Sequence, residues 1–394
     1  CGVHPSDTAA IIFTSGTMGA ARAVLLSHAN IAANIMGTSH HVSIAFNDVM
    51  LSVLPLHHTY ECTAGFLTAL YQGATVCYAE SLRRVADNLR EARASVMLGV
   101  PALFEAMYRR IQSGIEEKGR RKFAVARLAV TAGQRLLRID LRRRIFRRLH
   151  ERFGGRLRLL ISGGAAIDTA VSQGFWDLGI AFIQGYGMTE YAPIIAVNRV
   201  DRFKDDSVGL PLPQTEVRIE DGEIVVRGPC TMQGYYRNPT ATREVLRDGW
   251  LYTGDLGFLD RDGFLHISGR KKSLIVTPNG KNIYPEELEA LLNQSEWILE
   301  SLVWGGPDDV PALTEVQAII VPDIAAFDRL RGPVEHTDDE LMQTISEEVR
   351  KVNRQVASYK RIKKFTLRRE EFEKTTTRKV KRYLYTGKSS LATR

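Results

Sequence analysis

The chain of 394 residues is 44% hydrophobic and 25% charged, with a formal net charge of +8. This is ordinary globular composition, long enough for two to three domains with a sizeable core. No run of about 18 apolar residues marks a membrane span, and the four cysteines, Cys1, Cys62, Cys77 and Cys230, are too sparse for a disulfide scaffold. With no signal-peptide pattern, the reading is a cytoplasmic protein with reduced thiols.

In chain order, AAIIF (9–13) predicts a strand, followed by Thr14, Ser15, Gly16, Thr17 and Gly19, then Arg22, and a helix from His28. Glycines let the backbone approach an anion, hydroxyls donate to phosphate oxygens and a cation adds charge, so this stretch reads as a phosphate loop. Its spacing is not G-x-x-x-x-G-K-[ST], so it does not point to a P-loop NTPase. VMLSVLPL (49–56), ATVCYA (74–79), ASVMLGV (94–100), LRLLISGG (157–164) and IAFIQGYG (180–187) then predict buried strands. Residues 30–41, 81–92 and 101–111 predict helices between them, the last opened by Pro101. Strands alternating with helices imply an α/β domain with a largely parallel sheet.

Residues 135–153, RLLRIDLRRRIFRRLHERF, carry eight arginines. Leu137, Leu141, Ile145 and Leu149 recur every fourth residue, which predicts one amphipathic helix with an arginine face, stopped at Gly154-Gly155. That face reads either as a peripheral contact for anionic lipid or an acidic partner, or as a solvated basic surface. Without aromatic interleaving it carries no nucleic-acid signature.

Near residue 205 the texture changes. EVRIEDGEIVVRG (216–228) and LGFLDRDGFLHISG (256–269) alternate around Asp-Gly turns and predict hairpins of a small barrel or sheet. Beyond lies a separate α+β unit, with helices over 284–293 and 338–356 and a strand within 359–368. The boundary falls in GRKKS, dividing the chain into 1–269 and 270–394.

Four further stretches reinforce the phosphate loop. The strand IAFIQ runs into GYGMTE (185–190), placing an aromatic ring, a hydroxyl and a carboxylate at the carboxyl edge of a strand, where α/β sheets bind ligands. LYTGDLG (251–257) puts Asp255 in a turn, SGRKKSLI (268–275) puts Arg270 and Lys272 at the boundary, and KTTTRKVKR (374–382) carries Lys379.

Together with LPLHHTYE (54–61), SGGAAID (162–168) and NGKNIYPEELE (279–289), this ordered set resembles the adenylate-forming superfamily of acyl-CoA synthetases, luciferases and peptide-synthetase adenylation domains. The resemblance covers nearly the whole chain and is strongest to the long-chain fatty acyl-CoA synthetase branch, whose members carry further sequence before the phosphate loop. It implies an incomplete large adenylate-forming domain of α/β layers with a small β-barrel, followed by a mobile α+β lid.

It also implies roles. Thr14, Ser15, Gly16, Thr17, Gly19 and Arg22 would hold the β- and γ-phosphates of ATP. Tyr186 would stack on adenine, Thr189 would contact the α-phosphate, and Glu190 would coordinate Mg²⁺. Asp255 would accept from the ribose hydroxyls with Arg270 nearby. Gly163, Gly164 and Ala165 would line the adenine and acyl pocket, with His57, His58 and Gly187 on the substrate side. Lys272 would be the hinge and Lys379 the mobile catalytic lysine, with Lys381 its fallback. The implied reaction joins a medium- or long-chain fatty acid to AMP, releases pyrophosphate and passes the acyl group to CoA. The alternatives are a ligase that loads an acyl carrier protein and a non-catalytic nucleotide- or acyl-binding fragment. Two departures stand out: Ala21-Arg22-Ala23 replaces the family's Pro-Lys-Gly, and Glu373 and Arg378 replace the usual proline and glycine near Lys379. Arginine keeps the charge and binds phosphate well.

Overall fold

The computed structural model describes residues 2–14, 22–118, 140–277, 281–307, 314–332, 336–375 and 380–386. The first hairpin pairs β1 (Thr8–Thr14) with β2 (Arg22–Ser27), Thr14 opposite Arg22. The chain enters helix α1 (His28–His41) through a capping box, in which the Ser27 hydroxyl accepts from the Asn30 N–H and the Asn30 side chain accepts from the Ser27 N–H.

Strands β3 (Val49–Ser52), β4 (Thr75–Tyr78), β5 (Val96–Gly99), β6 (Leu159–Ser162), β7 (Ala181–Gly187), β8 (Ile194–Val197) and β9 (Leu210–Pro211) follow. They form one seven-stranded sheet in the order β4-β3-β5-β6-β7-β8-β9. The pairings from β4 to β7 are parallel, and β8 and β9 extend that edge by antiparallel pairing. Successive side chains go to opposite faces, and both faces are buried. Leu51, Met97, Leu160 and Phe182 join Phe104 and Phe175 on one side. Met50, Val96, Leu159 and Ile183 pack on the other. The five runs expected as strands are therefore real, each strand lying within the span expected.

A π-helix over Tyr60–Leu67 links β3 to the short helix α2 (Thr68–Tyr71), a feature absent from the sequence reading. Helix α3 (Val85–Glu91) precedes β5, and α4 (Pro101–Lys118) follows it. The single arginine-faced helix expected over 135–153 is corrected within its described part. Arg142–Ile145 and Arg147–Arg152 are two short helices, because Phe146 leaves helical geometry at φ −95°, ψ 24°. The bend lets Phe146 and Leu149 reach the core.

Beyond the main sheet come β10 (Glu216–Glu220), β11 (Glu223–Arg227), β12 (Gly234–Tyr235), β13 (Leu246–Arg247), β14 (Trp250–Leu259) and β15 (Leu265–Arg270). β12 pairs with β2, which ties this region to the first hairpin. The other five make one antiparallel sheet in the order β10-β11-β14-β13, with β15 on β14. Of the small barrel or sheet expected from the hairpin pattern, the described residues form this sheet. In the C-terminal part, helices Pro285–Leu292 and Asp338–Gln355 pack Leu288, Ile345 and Val349 against Val303, Ala318 and Ile320 of a three-stranded sheet.

Candidate active site

Strand β7 ends at Gly187, where a Cβ would lie 2.1 Å from the Pro193 carbonyl, so only glycine allows this close approach. The returning segment is fastened by Asn34 of α1, fully buried. Its side-chain amide donates to the carbonyls of Tyr191 and Ile194, at 3.2 and 2.8 Å. Thr189 and Glu190 are thus presented just beyond the carboxyl end of the parallel strands by a clamped backbone. The Thr189 hydroxyl lies 3.2 Å from that of Thr59, at the mouth of the π-helix.

Two carboxylates define the site. The Tyr186 hydroxyl donates to Asp255 at 2.7 Å, while the Arg270 guanidinium sits 3.3 Å from the other Asp255 oxygen, its partner across β14 and β15. Burial and the Asp255 charge drive the Tyr186 phenol far above its ordinary range, so it stays a donor. The Tyr235 hydroxyl donates to Glu190 at 2.9 Å. The Arg22 guanidinium lies 5.1 Å from the Tyr235 ring centre and 3.7 Å from Glu244. Burial raises the Glu190 carboxyl above its ordinary range, opposed by the Tyr235 hydrogen bond and the Arg22 charge.

This chain belongs to the AMP-binding enzyme family. The family's profile matches residues 2–236, and the AMP-binding enzyme C-terminal domain matches residues 272–388. A long-chain-fatty-acid–CoA ligase of Mycobacterium bovis is 32% identical over 96% of this chain and 68% of its own. A peroxisomal long chain acyl-CoA synthetase of Arabidopsis thaliana is 31% identical over 83% of this chain and 50% of its own. The crystal structure of ATP-bound MatB from Rhodopseudomonas palustris superposes with a TM-score of 0.73, covering 97% of this chain and 68% of that one at 26% identity. The class is that of ATP-using, AMP-forming acid–CoA ligases.

Within this AMP-binding fold, Thr14 closes β1 and its hydroxyl donates to the Arg22 carbonyl at 3.4 Å. Ser15, Gly16, Thr17, Gly19 and Lys379 lie outside the described residues. Gly163 follows β6 and packs against the Tyr60 ring, leaving no room for a Cβ. Gly164 and Ala165 continue from it at the surface. His57 is exposed in the turn after β3, and His58 accepts from the Tyr60 N–H at 3.3 Å. Lys272 is exposed just after β15. Lys381 donates to Glu373 at 3.2 Å, which occupies it elsewhere in this geometry.

Three contributors escaped the sequence reading. Tyr235 is the direct partner of Glu190. Glu223, 5% exposed, accepts from the Gly254 N–H at 2.9 Å and from Lys271 at 2.8 Å, and so holds the backbone that aims Asp255, which lies within β14 and not in the turn expected. Glu61 of the π-helix is 1% exposed and neither of its oxygens closes a hydrogen bond. Burial pushes this carboxyl up to about 7, although Ser52 and the Leu54 backbone nearby favour its charge. Gly65 makes space for it, since a Cβ there would lie 2.9 Å from the carboxyl carbon. The signal for the first two is the pair Gly222-Glu223 and Gly234-Tyr235, which bracket one stretch of the sequence.

Proposed function

We propose that the chain activates a medium- or long-chain fatty acid with ATP and then transfers the acyl group to CoA. A fatty carboxylate oxygen attacks the α-phosphorus, the bond to the β-phosphate oxygen breaks, and pyrophosphate leaves. The CoA thiolate then attacks the acyl carbonyl carbon, and AMP departs with the electron pair of the broken C–O bond. The displacement at phosphorus demands positioning and charge neutralisation more than covalent help.

The observation that carries this reading is the Tyr186–Asp255–Arg270 set. A carboxylate offers about four lone-pair positions. With one Tyr186 bond and one Arg270 contact, Asp255 retains acceptor capacity for the two ribose hydroxyls, beside a partly buried ring for adenine. Thr189 is proposed on the α-phosphate, and Thr14, Ser15, Gly16, Thr17, Gly19 and Arg22 on the β- and γ-phosphates.

Among the described residues no group of three or more His, Cys, Asp or Glu could hold a metal. Mg²⁺ commonly rests on one or two carboxylates plus substrate phosphates, and Glu190 with one oxygen committed to Tyr235 fits that pattern. When bound, Mg²⁺ supplies charge neutralisation on the phosphates. Glu190 orients it, and Tyr235 fixes the rotamer of Glu190. Lys379 is proposed to bridge the acyl oxygen and the α-phosphate, Lys272 to be the hinge, and 1–269 and 270–394 to be the domains. His57, His58, Gly163, Gly164, Ala165 and Gly187 are proposed around the acyl and adenine groups.

The test is mass-spectrometric detection of product from ATP, Mg²⁺, CoA and saturated fatty acids of graded length. A CoA thioester peaking at one medium or long chain supports the reading. Accumulated acyl-adenylate released only by a holo carrier protein would replace the acceptor, and ATP binding with no turnover of any acid would reduce the chain to a binding fragment.

A further inference from the structure

The end of the parallel sheet opposite the nucleotide site holds a recess of about 450 Å³ lined by Ser43, Asn47, Asp48, Arg143, Arg156 and Arg158 among others. Asp48, Ser95 and Arg158 immediately precede β3, β5 and β6, so the recess lies at the amino ends of the parallel strands. Its floor is a closed network. Ser95 donates to Asp48 at 2.7 Å, and Arg158 grips both Asp48 oxygens and the Ser43 carbonyl. Burial alone would raise the Asp48 carboxyl, but Arg158, the Ala45 N–H and Ser95 bring it down to about 2, so the floor carries a paired charge.

Arg143 and Arg156 are different. Arg143 is exposed and Arg156 half-buried, and their guanidiniums donate to backbone carbonyls, Arg143 to those of Gly155 and Leu157, Arg156 to that of Asn47. Carbonyls orient a guanidinium without cancelling its charge. Exposed Arg144, Arg148 and Arg152 of the two short helices extend the same positive character.

The rim supplies the second feature. Phe46, between recess-lining Ala45 and Asn47, is 80% exposed, and Leu70 and Tyr71 at the end of α2 are 51% and 62% exposed. These side chains are tied to one place. The Ile44 N–H donates to the Gln72 side chain at 3.1 Å, and a Cβ on Gly73 would lie 3.7 Å from that of Phe46. Large apolar side chains beside uncancelled arginines fit a headgroup layer, which takes aromatic rings into its boundary and attracts cations to its phosphates.

We propose that this end of the sheet docks on an anionic phospholipid membrane, with Arg143 and Arg156 on headgroup phosphates and Phe46 and Tyr71 entering the interface. The contact centres on the recess rather than on one helix face, and it leaves the nucleotide site on the far side of the sheet. It stands independently of the ligase reading.

The experiment is sedimentation of the full chain with vesicles of phosphatidylcholine, and of phosphatidylcholine containing phosphatidylglycerol, at low and high salt. Wild type should bind the anionic vesicles preferentially and lose binding with salt. Arg143→Ala with Arg156→Ala should weaken that binding roughly 10–30-fold. Phe46→Ser should weaken it several-fold on its own. Arg350→Ala with Arg354→Ala removes the same charge from an exposed helix of the C-terminal unit and should change little. Equal loss in that control pair, no preference for anionic vesicles, or capture of inorganic phosphate without vesicle binding would each overturn the proposal.

Discussion

Beyond β6 and β7 the gathered side chains are Thr189 and Glu190, joined from the neighbouring sheet by Asp255. At the opposite end of the same sheet, just ahead of β3, β5 and β6, they are Asp48, Ser95 and Arg158. In the first group each carboxylate accepts from a phenol, Tyr186 on Asp255 and Tyr235 on Glu190, and Asp255 adds a single guanidinium contact, from Arg270 at 3.3 Å. In the second group Asp48 is consumed by a direct guanidinium clasp. A phenol fixes a carboxylate's rotamer and leaves its charge to act on something else, whereas a clasping guanidinium spends that charge on structure. The difference separates a site poised for ligands from a polar network that closes the fold.

Substitutions at the two ends should therefore fail differently. The largest effect is expected from Asp255→Ala. Losing charge-assisted acceptance from the ribose should lower kcat/KM for ATP by roughly 10–150-fold, with the melting temperature little changed; calorimetric nucleotide binding and thermal melts check both halves. If Asp255→Ala unfolds the chain while nucleotide affinity persists, the distinction collapses.

Tyr235→Phe should be milder, about a 5-fold loss set by one hydrogen bond, but with a diagnostic pH shift. Burial already raises the Glu190 carboxyl and Tyr235 opposes that rise. Removing the hydroxyl raises it further, so the acid limb of the pH–rate profile should move to higher pH. A profile that keeps its position while activity falls would make Tyr235 a packing residue.

At the other end, Asp48→Asn should leave turnover intact and lower the melting temperature at pH 7 by about 3–6 °C. The folded carboxyl lies near 2, below its ordinary value of 3.8. Its stabilisation is therefore present above pH 4 and lost as pH falls towards 2. The gap from wild type should narrow over that window in acid melts.

Glu61→Gln should have the smallest effect and the opposite sign. The Glu61 carboxyl titrates near 7 in the fold instead of 4.5. Wild type thus loses stability as pH rises from about 4.5 through 7. The glutamine variant should melt ~2–4 °C higher at pH 8 and match wild type at pH 5. An unchanged difference across that range would show that Glu61 does not titrate there.

Much of this was readable from the chain. The apolar runs of β5 and β6 mark buried parallel strands because both faces of the sheet are covered, and GYGMTE and TGD mark Tyr186, Glu190 and Asp255, although Tyr186 and Asp255 lie within β7 and β14. The partners were not readable from local pattern. Tyr235 reaches Glu190 across 45 residues and Glu223 reaches Gly254 across 31, through strand registers that no local pattern specifies. The π-helix at Tyr60–Leu67 has no composition of its own, and its i→i+5 bond from Thr68 to Thr63 appears only in three dimensions. The break at Phe146 likewise lacks a glycine or proline to announce it. It follows from the pull of Phe146 and Leu149 into the core. The arginines were visible as a run, but their meeting with Arg156 and Arg158 at one sheet end depends on where β5 and β6 begin.

The most direct measurement is fatty-acid-dependent exchange of labelled pyrophosphate into ATP, run side by side on wild type, Asp255→Ala and Asp48→Asn. The account predicts exchange in wild type and in Asp48→Asn that requires the fatty acid, and exchange lowered at least 10-fold in Asp255→Ala at limiting ATP. Exchange that survives intact in Asp255→Ala, or that never depends on the acid, would contradict it.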